Sequence, residues 1–250
     1  MPVIPATDLR LIEVFSSLQG EGVLIGRRQL FVRLAGCNLD CAYCDTDFQA
    51  GPTWNSEFRP GDGQPGEYPN PASPEMLTEL IRHWQPLAVN HHSLALTGGE
   101  PLVQSPALAR WLPSVSRLLP VYLETNGTLP DALPALLPFI SFISMDLKLA
   151  SATGAATPWD AHADFLLQAR SKSCQVKVVI DEQTAAEDVA GAARFVRRHG
   201  AGIPLVLQPR TVAGRPVPTG RRLLELQAVA AAEYAEALVI PQVHPLLALR

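Results

Sequence analysis

Short apolar runs alternate with longer amphipathic stretches along most of this chain. Leu11 to Phe15 reads as a strand and Gln29 to Leu34 as a second, with a Gly-rich turn at Gln19-Gly20-Glu21-Gly22 between them. Strands are predicted over Ser93–Thr97, Val121–Thr125, Ile140–Met145, Gln175–Ile180 and Pro204–Leu207, with a short extended piece at Leu238–Ile240. Helices are predicted over Pro74–Trp84, Ser105–Leu118, Asp131–Leu137, Trp159–Ala169, Ala185–His199 and Arg221–Tyr234. The first has Ser73 as its N-cap and Pro74 at its first position. Residues 49–73 are rich in Pro and Gly and read as an insertion or lid loop, not a packed element.

Apolar strands alternating with helices imply a parallel sheet covered by helices. About six such units follow the N-terminal hairpin. A closed eight-unit barrel uses ~250 residues without large inserts, so an α/β fold with an open partial (β/α)6 barrel and an N-terminal extension is expected. One domain over residues 1–250 is the simplest division. Functional residues are then expected where strands end and βα loops begin.

Composition narrows the classes. A hydrophobic content of 47% argues against disorder, and a net charge of −4 offers no electrostatic case for nucleic acid. The first residues, Met-Pro-Val-Ile-Pro-Ala-Thr-Asp, lack the basic and apolar regions of a signal peptide. No apolar run is long enough to span a bilayer, and the C-terminal one is broken by Glu233 and Glu236.

Three of the four cysteines lie together, Cys37, Cys41 and Cys44, with spacing C-x3-C-x2-C. A loop this tight can aim three thiolates at one centre, and thiolates favour iron–sulfur clusters or zinc. Neither a fourth cysteine nor a histidine lies nearby, and structural zinc and ordinary clusters take four ligands. Three thiolates on a four-iron cluster leave one iron open to a small molecule. A zinc site completed by a remote histidine is the competing reading. Cys174, in Ser-Cys-Gln-Val-Lys-Val-Val-Ile, reads as a core residue of a buried strand.

Strand ends carry the other candidates. Thr97-Gly98-Gly99-Glu100-Pro101 places two glycines where backbone can approach a ligand closely, though a tight turn before a helix needs the same residues. Glu124 and Asn126 end the next strand, in an Asn-Gly turn, and are second-tier candidates. Ser144, Asp146 and Lys148 end the one after that and could bond hydroxyl or carboxylate groups; a solvated ion pair is the alternative. Gln208 ends the sixth strand.

The three-cysteine loop followed by Gly98-Gly99-Glu100 resembles the radical S-adenosylmethionine (SAM) superfamily. Leu18-Gln19-Gly20-Glu21-Gly22, Cys44-Asp45-Thr46, Thr97-Gly98-Gly99-Glu100-Pro101 and the closing Pro241-Gln242-Val243-His244 narrow the likeness to the 7-carboxy-7-deazaguanine synthase family, over nearly the whole chain. The resemblance implies ring contraction of 6-carboxy-5,6,7,8-tetrahydropterin with loss of ammonia, in deazapurine (queuosine-type) biosynthesis. It implies a [4Fe–4S] cluster on Cys37, Cys41 and Cys44, whose reduction of SAM yields a 5′-deoxyadenosyl radical, and Mg²⁺ at Thr46. SAM contacts are then implied for Tyr43, Cys44, Asp45, Gly98, Gly99, Glu100, Ser144, Asp146, Lys148 and Gln208. Substrate contacts are implied for Leu18, Gln19, Gly20, Glu21, Arg33, Thr97, His244 and Arg250, with Glu21 at the donor-rich pterin edge and Arg33 on the carboxylate. An electron donor such as flavodoxin or ferredoxin and a reducing cytoplasm fit such a cluster; a homodimer is a general expectation. Asp146-Leu147-Lys148 departs from the Ser-Pro-Lys of many members and looks more like glycyl-radical-enzyme activating enzymes, the runner-up.

Overall fold

The computed structural model of the chain describes residues 7–41, 48–84 and 91–249. Six strands, β2 (Arg28–Leu34), β5 (Ser93–Gly98), β6 (Val121–Thr125), β7 (Ile140–Asp146), β8 (Ser173–Ile180) and β9 (Leu205–Val212), are parallel neighbours in that order. On one side β1 (Leu11–Leu18) pairs antiparallel with β2, followed by β3 (Thr53–Glu57) and β4 (Pro65–Pro69). On the other, β10 (Arg215–Val217) and β11 (Ala237–Val239) both pair with β9. The sheet curls but stays open, as expected for a partial barrel. The helices are α1 (Pro74–Trp84), α2 (Ser105–Val115), α3 (Ala150–Thr153), α4 (Trp159–Ala169), α5 (Ala186–His199) and α6 (Gly220–Glu233).

The period of two along each strand sorts side chains between two environments. Leu30, Val32, Leu94, Leu96, Val121, Leu123, Ile143, Met145, Val176 and Val178 point outward into the main core beneath the helices. Burying each such side chain stabilises the fold by ~1.5–3 kcal/mol. The alternate positions face the barrel interior. There Phe15, Phe31, Ala95 and Tyr122 form a small aromatic cluster, with Phe15 stacked on Phe31 at 5.0 Å. Cys174 is buried in the outer core, as its strand context implies, and burial pushes its thiol up to about 12.

Three expectations are corrected. Residues 49–73 do contain a packed element: β3 and β4 form a hairpin, and β3 adds in parallel to β1. Trp54 is buried, stacked on Tyr68 at 4.8 Å, and its Nε1 donates to the Pro69 carbonyl at 3.1 Å. Gly61 and Gly63 fall in the hairpin connection, so the turn residues that suggested a loop throughout occupy only its tip. Residues 131–137 form no α-helix, only 3₁₀ turns at Pro130–Ala132 and Leu137–Phe139. Pro134 and Pro138 lack the N–H that a continuous helix needs. Finally, β9 runs on to Val212 and turns back into β10 through Ala213 and Gly214, both left-handed, with φ of 49° and 73°.

Candidate active site

Strand ends β2 and β5 meet through their backbones, and β6 is tied to them by side chains. The Glu100 N–H donates to the Gly36 carbonyl at 2.8 Å and the Gly99 N–H to Leu34 at 3.3 Å. A Cβ on Gly98 would lie 2.0 Å from the Leu34 oxygen, and one on Gly99 would lie 2.1 Å from the Gly36 oxygen. Only glycine permits this approach. The pair therefore seats the β5 turn on the cysteine loop. From the other side, Asn126 Nδ2 donates to Asn38 Oδ1 and Asn38 Nδ2 to Thr128 Oγ1, both at 2.8 Å. Cys37 and Cys41 are partly exposed and line the cavity beside Gly98, Gly99 and Asn126. Tyr43, Cys44, Asp45, Thr46 and Arg250 lie outside the described residues.

The Glu100 side chain does not line the cavity. Its carboxylate is fully buried and turned away from the cavity, accepting from the Leu102 N–H (2.9 Å), Thr125 Oγ1 (2.9 Å) and the Asn126 N–H (2.6 Å). It caps the turn after β5 and ties β5 to β6. Burial pushes its carboxyl up to about 7 against these bonds. A ligand at this turn would meet backbone and not the Glu100 carboxylate.

The interior cavity holds about 640 Å³. Its floor is the β1–β2 connection, folded inward. Gln19 is buried and its Nε2 donates to Gln29 Oε1 and Glu124 Oε1, each at 2.9 Å, while Oε1 accepts from the Glu21 N–H at 3.0 Å. The Val23 N–H donates to Gln175 Oε1 at 2.7 Å. A Cβ on Gly22 would lie 2.0 Å from Gln175 Nε2, and one on Gly20 2.2 Å from His244 Nδ1. These glycines let β8 and the C-terminal segment close on the connection. The Val243 N–H bonds the Gly20 carbonyl at 2.9 Å.

Charge is concentrated here. Glu21 pairs with Lys177 and accepts from Gln242 Nε2 at 2.6 Å. Burial pushes its carboxyl up, but Lys177 and Gln242 outweigh that and hold it down at about 2. Glu124 accepts from Thr97 Oγ1 at 2.6 Å; burial first, and the Glu21 charge second, push its carboxyl up. Lys177 is itself buried, yet Asp146, Glu21 and Glu124 raise it well above the ordinary lysine value. Arg33 also lines the cavity, paired with Glu13 at 2.9 Å and 5.7 Å above the Phe15 ring.

Along β7 and β9 the wall has unmet acceptors. Asp146 Oδ2 takes Lys148 Nζ at 2.7 Å, but Asp146 Oδ1 is buried without a partner, and so is Gln208 Oε1. The Asp146–Lys148 pair is real and mostly buried, not solvated. Ser144 accepts from Gln175 Nε2 at 2.8 Å. Buried acceptors without donors are costly unless a ligand supplies them. Hydroxyl and amino groups, which SAM carries, would satisfy both. The soft thiols of Cys37 and Cys41 at the same cavity suit an iron–sulfur cluster. The donor set thus fits both groups.

Leu18, Gln19, Gly20, Glu21, Arg33, Thr97, Gly98, Gly99, Ser144, Asp146, Lys148, Gln208 and His244 are all brought to one cavity, and Glu100 is not. Sequence reasoning gave no individual role to Lys177, Gln242 or Glu13 and held Glu124 as a second-tier candidate; all four line the cavity. The available signal for Lys177 was its position between Val176 and Val178, two residues after the polar Gln175, which puts both polar side chains on the inward face of β8.

A family model described as Radical SAM superfamily matches residues 32–161. A 7-carboxy-7-deazaguanine synthase of Geobacter sulfurreducens is 41% identical over 250 residues, covering 96% of each chain. One of Methanothermobacter thermautotrophicus is 34% identical over 260 residues, covering 96% of this chain and 97% of the other. The crystal structure of QueE from Escherichia coli shares the fold, with a TM-score of 0.59 at 20% identity over 94% of both chains.

Proposed function

This chain belongs to the radical SAM superfamily and, within it, to the 7-carboxy-7-deazaguanine synthases, and from that premise we propose how its own residues serve the reaction. The enzyme is a radical SAM lyase that contracts 6-carboxy-5,6,7,8-tetrahydropterin to 7-carboxy-7-deazaguanine with loss of ammonia. SAM and a [4Fe–4S] cluster supply the one-electron chemistry when bound. Cys37, Cys41 and Cys44 hold the cluster. The Gly98-Gly99 backbone, Ser144, Asp146, Lys148 and Gln208 hold SAM, Asp146 Oδ1 and Gln208 Oε1 being the acceptors left free for its donors. Asp146-Leu147-Lys148 serves as a buried wall pair here, and the activating-enzyme reading gives way to the full-length relatives.

For the substrate, Arg33 receives the carboxylate, and Glu21 and Glu124 face the donor-rich edge of the ring. Leu18, Gln19, Gly20, Thr97, His244 and Arg250 complete the enclosure. The observation that carries this reading is geometric: the thiols of Cys37 and Cys41 and the charged floor at Glu21 open into the same cavity. That enclosure keeps water from a reactive centre and fixes the ring against it. Mg²⁺ at Thr46 would take one protein oxygen and otherwise substrate or water oxygens. Thr46→Ala is expected to weaken the Mg²⁺ dependence with the cluster still in place; an unchanged Mg²⁺ titration would refute the role.

We further propose one radical SAM domain over residues 1–250, with residues 49–73 an addition to it. The reductant is a small electron carrier such as flavodoxin or ferredoxin, the assembly a homodimer and the compartment the cytoplasm. Among the described residues no helix is long and apolar enough to cross a membrane. The deciding experiment is an anaerobic assay with reductant, SAM and the carboxypterin. It should yield 5′-deoxyadenosine and the contracted ring; SAM cleavage without the contracted product would exclude the pterin assignment.

A further inference from the structure

β8 presents to the cavity a lysine that none of the roles above uses. Lys177 stands between Val176 and Val178, both fully buried in the outer core, so its own side chain must point inward. That side chain is 12% exposed. A buried ammonium is costly unless it is paired. Here the partner is Glu21, from a segment 156 residues away. Gln242 grips the other oxygen of the same carboxylate. Glu21 therefore has one ligand on each side and a single orientation.

The surroundings make that grip consequential. Glu124 and Tyr122 face the pair from β6, Asp146 and its partner Lys148 from β7, and His244 from the C-terminal segment. Gln19 touches both Glu21 and Glu124, through its Oε1 and Nε2. Two carboxylates so placed in a buried site cannot both stay ionised without a cation between them. A protonated Glu21 would carry an O–H donor and lose acceptor capacity. It would then meet adjacent ring N–H groups donor to donor.

We propose that Lys177 is a positioning residue for the substrate: with Gln242 it clamps the Glu21 carboxylate so that Glu21 meets the N–H edge of the ring ionised and in one orientation. This rests on the assignment of Glu21 to that edge. Lys177 acts through Glu21 and needs no contact with the ring.

The test uses the reconstituted holoenzyme with SAM and reads carboxypterin binding by calorimetry from mildly acid to mildly alkaline pH. Lys177→Met is expected to weaken binding about 10–100-fold, the equivalent of one lost charge-assisted hydrogen bond. It should also move the acid limb upward in pH, because Glu21 without Lys177 takes up its proton sooner. Lys177→Arg keeps the charge and should retain the wild-type pH profile. In a Glu21→Gln background, Lys177→Met should add little, as expected for two residues acting as one unit. That double variant also removes both charges, so it tests the coupling even where Lys177→Met alone fails to fold. Infrared titration of the ligand-free protein, with the Glu21 signal assigned by Glu21→Gln, reads the clamp without the pterin. If wild-type enzyme ignores the pterin while this titration shifts in Lys177→Met, the Glu21 assignment falls and with it the substrate role of Lys177. If the pterin binds wild type but Lys177→Met matches it in affinity and pH profile, the clamp alone is overturned.

Discussion

Around the cysteine loop the decisive contacts are between backbones; on the cavity floor they are between charged side chains. Gly98 and Gly99 bring β5 against Leu34 and Gly36, and the cysteine loop is pinned by amides and carbonyls. At the floor, Gln19 and Glu21 from the β1–β2 connection, Glu124 from β6, Lys177 from β8 and Gln242 from the C-terminal segment hold one another by ion pair and hydrogen bond. The first construction gives a rigid seat that tolerates no added atom. The second gives a surface whose donors, acceptors and charges can match one particular ring. Under the function proposed above, the former would serve a cofactor common to many reactions and the latter a specific substrate.

That contrast can be broken first at the thiols. Cys37→Ala, Cys41→Ala and Cys44→Ala should each abolish cluster assembly and SAM cleavage, read by iron content and 5′-deoxyadenosine release. Cys174→Ala should keep its iron, since that thiol is buried in the outer core. Loss of iron in Cys174→Ala would overturn the ligand assignment.

Gly98→Ala or Gly99→Ala comes next. Each places a methyl about 2 Å from a backbone oxygen, so the turn must shift, at a cost of at least ~1–3 kcal/mol. Lower melting temperature and incomplete cluster loading are expected together. A normal, fully loaded Gly98→Ala protein would show that the seat is not rigid.

At the floor, losses should be smaller and selective. Arg33→Lys gives up the fork that suits a carboxylate, and Glu21→Gln turns an acceptor-only group into one that also donates. Each should lower kcat/KM for the carboxypterin by roughly 1–3 kcal/mol and raise the share of uncoupled SAM cleavage. Normal turnover in both would mean that the floor does not read the substrate.

The smallest effect concerns Glu100, which belongs to the seat although it is an acid. Burial pushes its carboxyl up to about 7, above the ordinary glutamate value of 4.5. Its contribution to stability is therefore fullest below about 4.5 and declines as pH rises to about 7. Glu100→Gln should remove that slope and set an amide NH₂ against donors that now meet a carboxyl. The stability advantage of wild type over the variant should shrink as pH rises across that window, measured by denaturant unfolding. An advantage that grows with pH would show that Glu100 is ionised in the folded protein.

What was legible beforehand follows the same division. The strand and helix alternation, the six parallel units and the cysteine loop could be read because each depends on residues close in sequence. Misreadings arose where local composition competed with packing. Gly61 and Gly63 sit in a turn between β3 and β4, yet their density made 49–73 look like loop throughout. Trp54 and Tyr68 supply the burial that makes the hairpin a packed element. The short helix expected over 131–137 is interrupted by Pro134, and Pro138 bars its extension.

By itself the sequence determined which side of each strand is apolar, which turns require glycine and which thiols share a loop. Period-two geometry and backbone sterics act over a few residues and leave few alternatives. Only the tertiary structure decided that the Glu100 carboxylate turns into the protein, that Glu21 takes Lys177 from 156 residues away, and that Gln242 reaches Glu21 across 221 residues. Those partners are chosen by how the sheet curls and where the C-terminal segment crosses it, and burial makes each choice consequential because a charge in the interior must find its counterpart there.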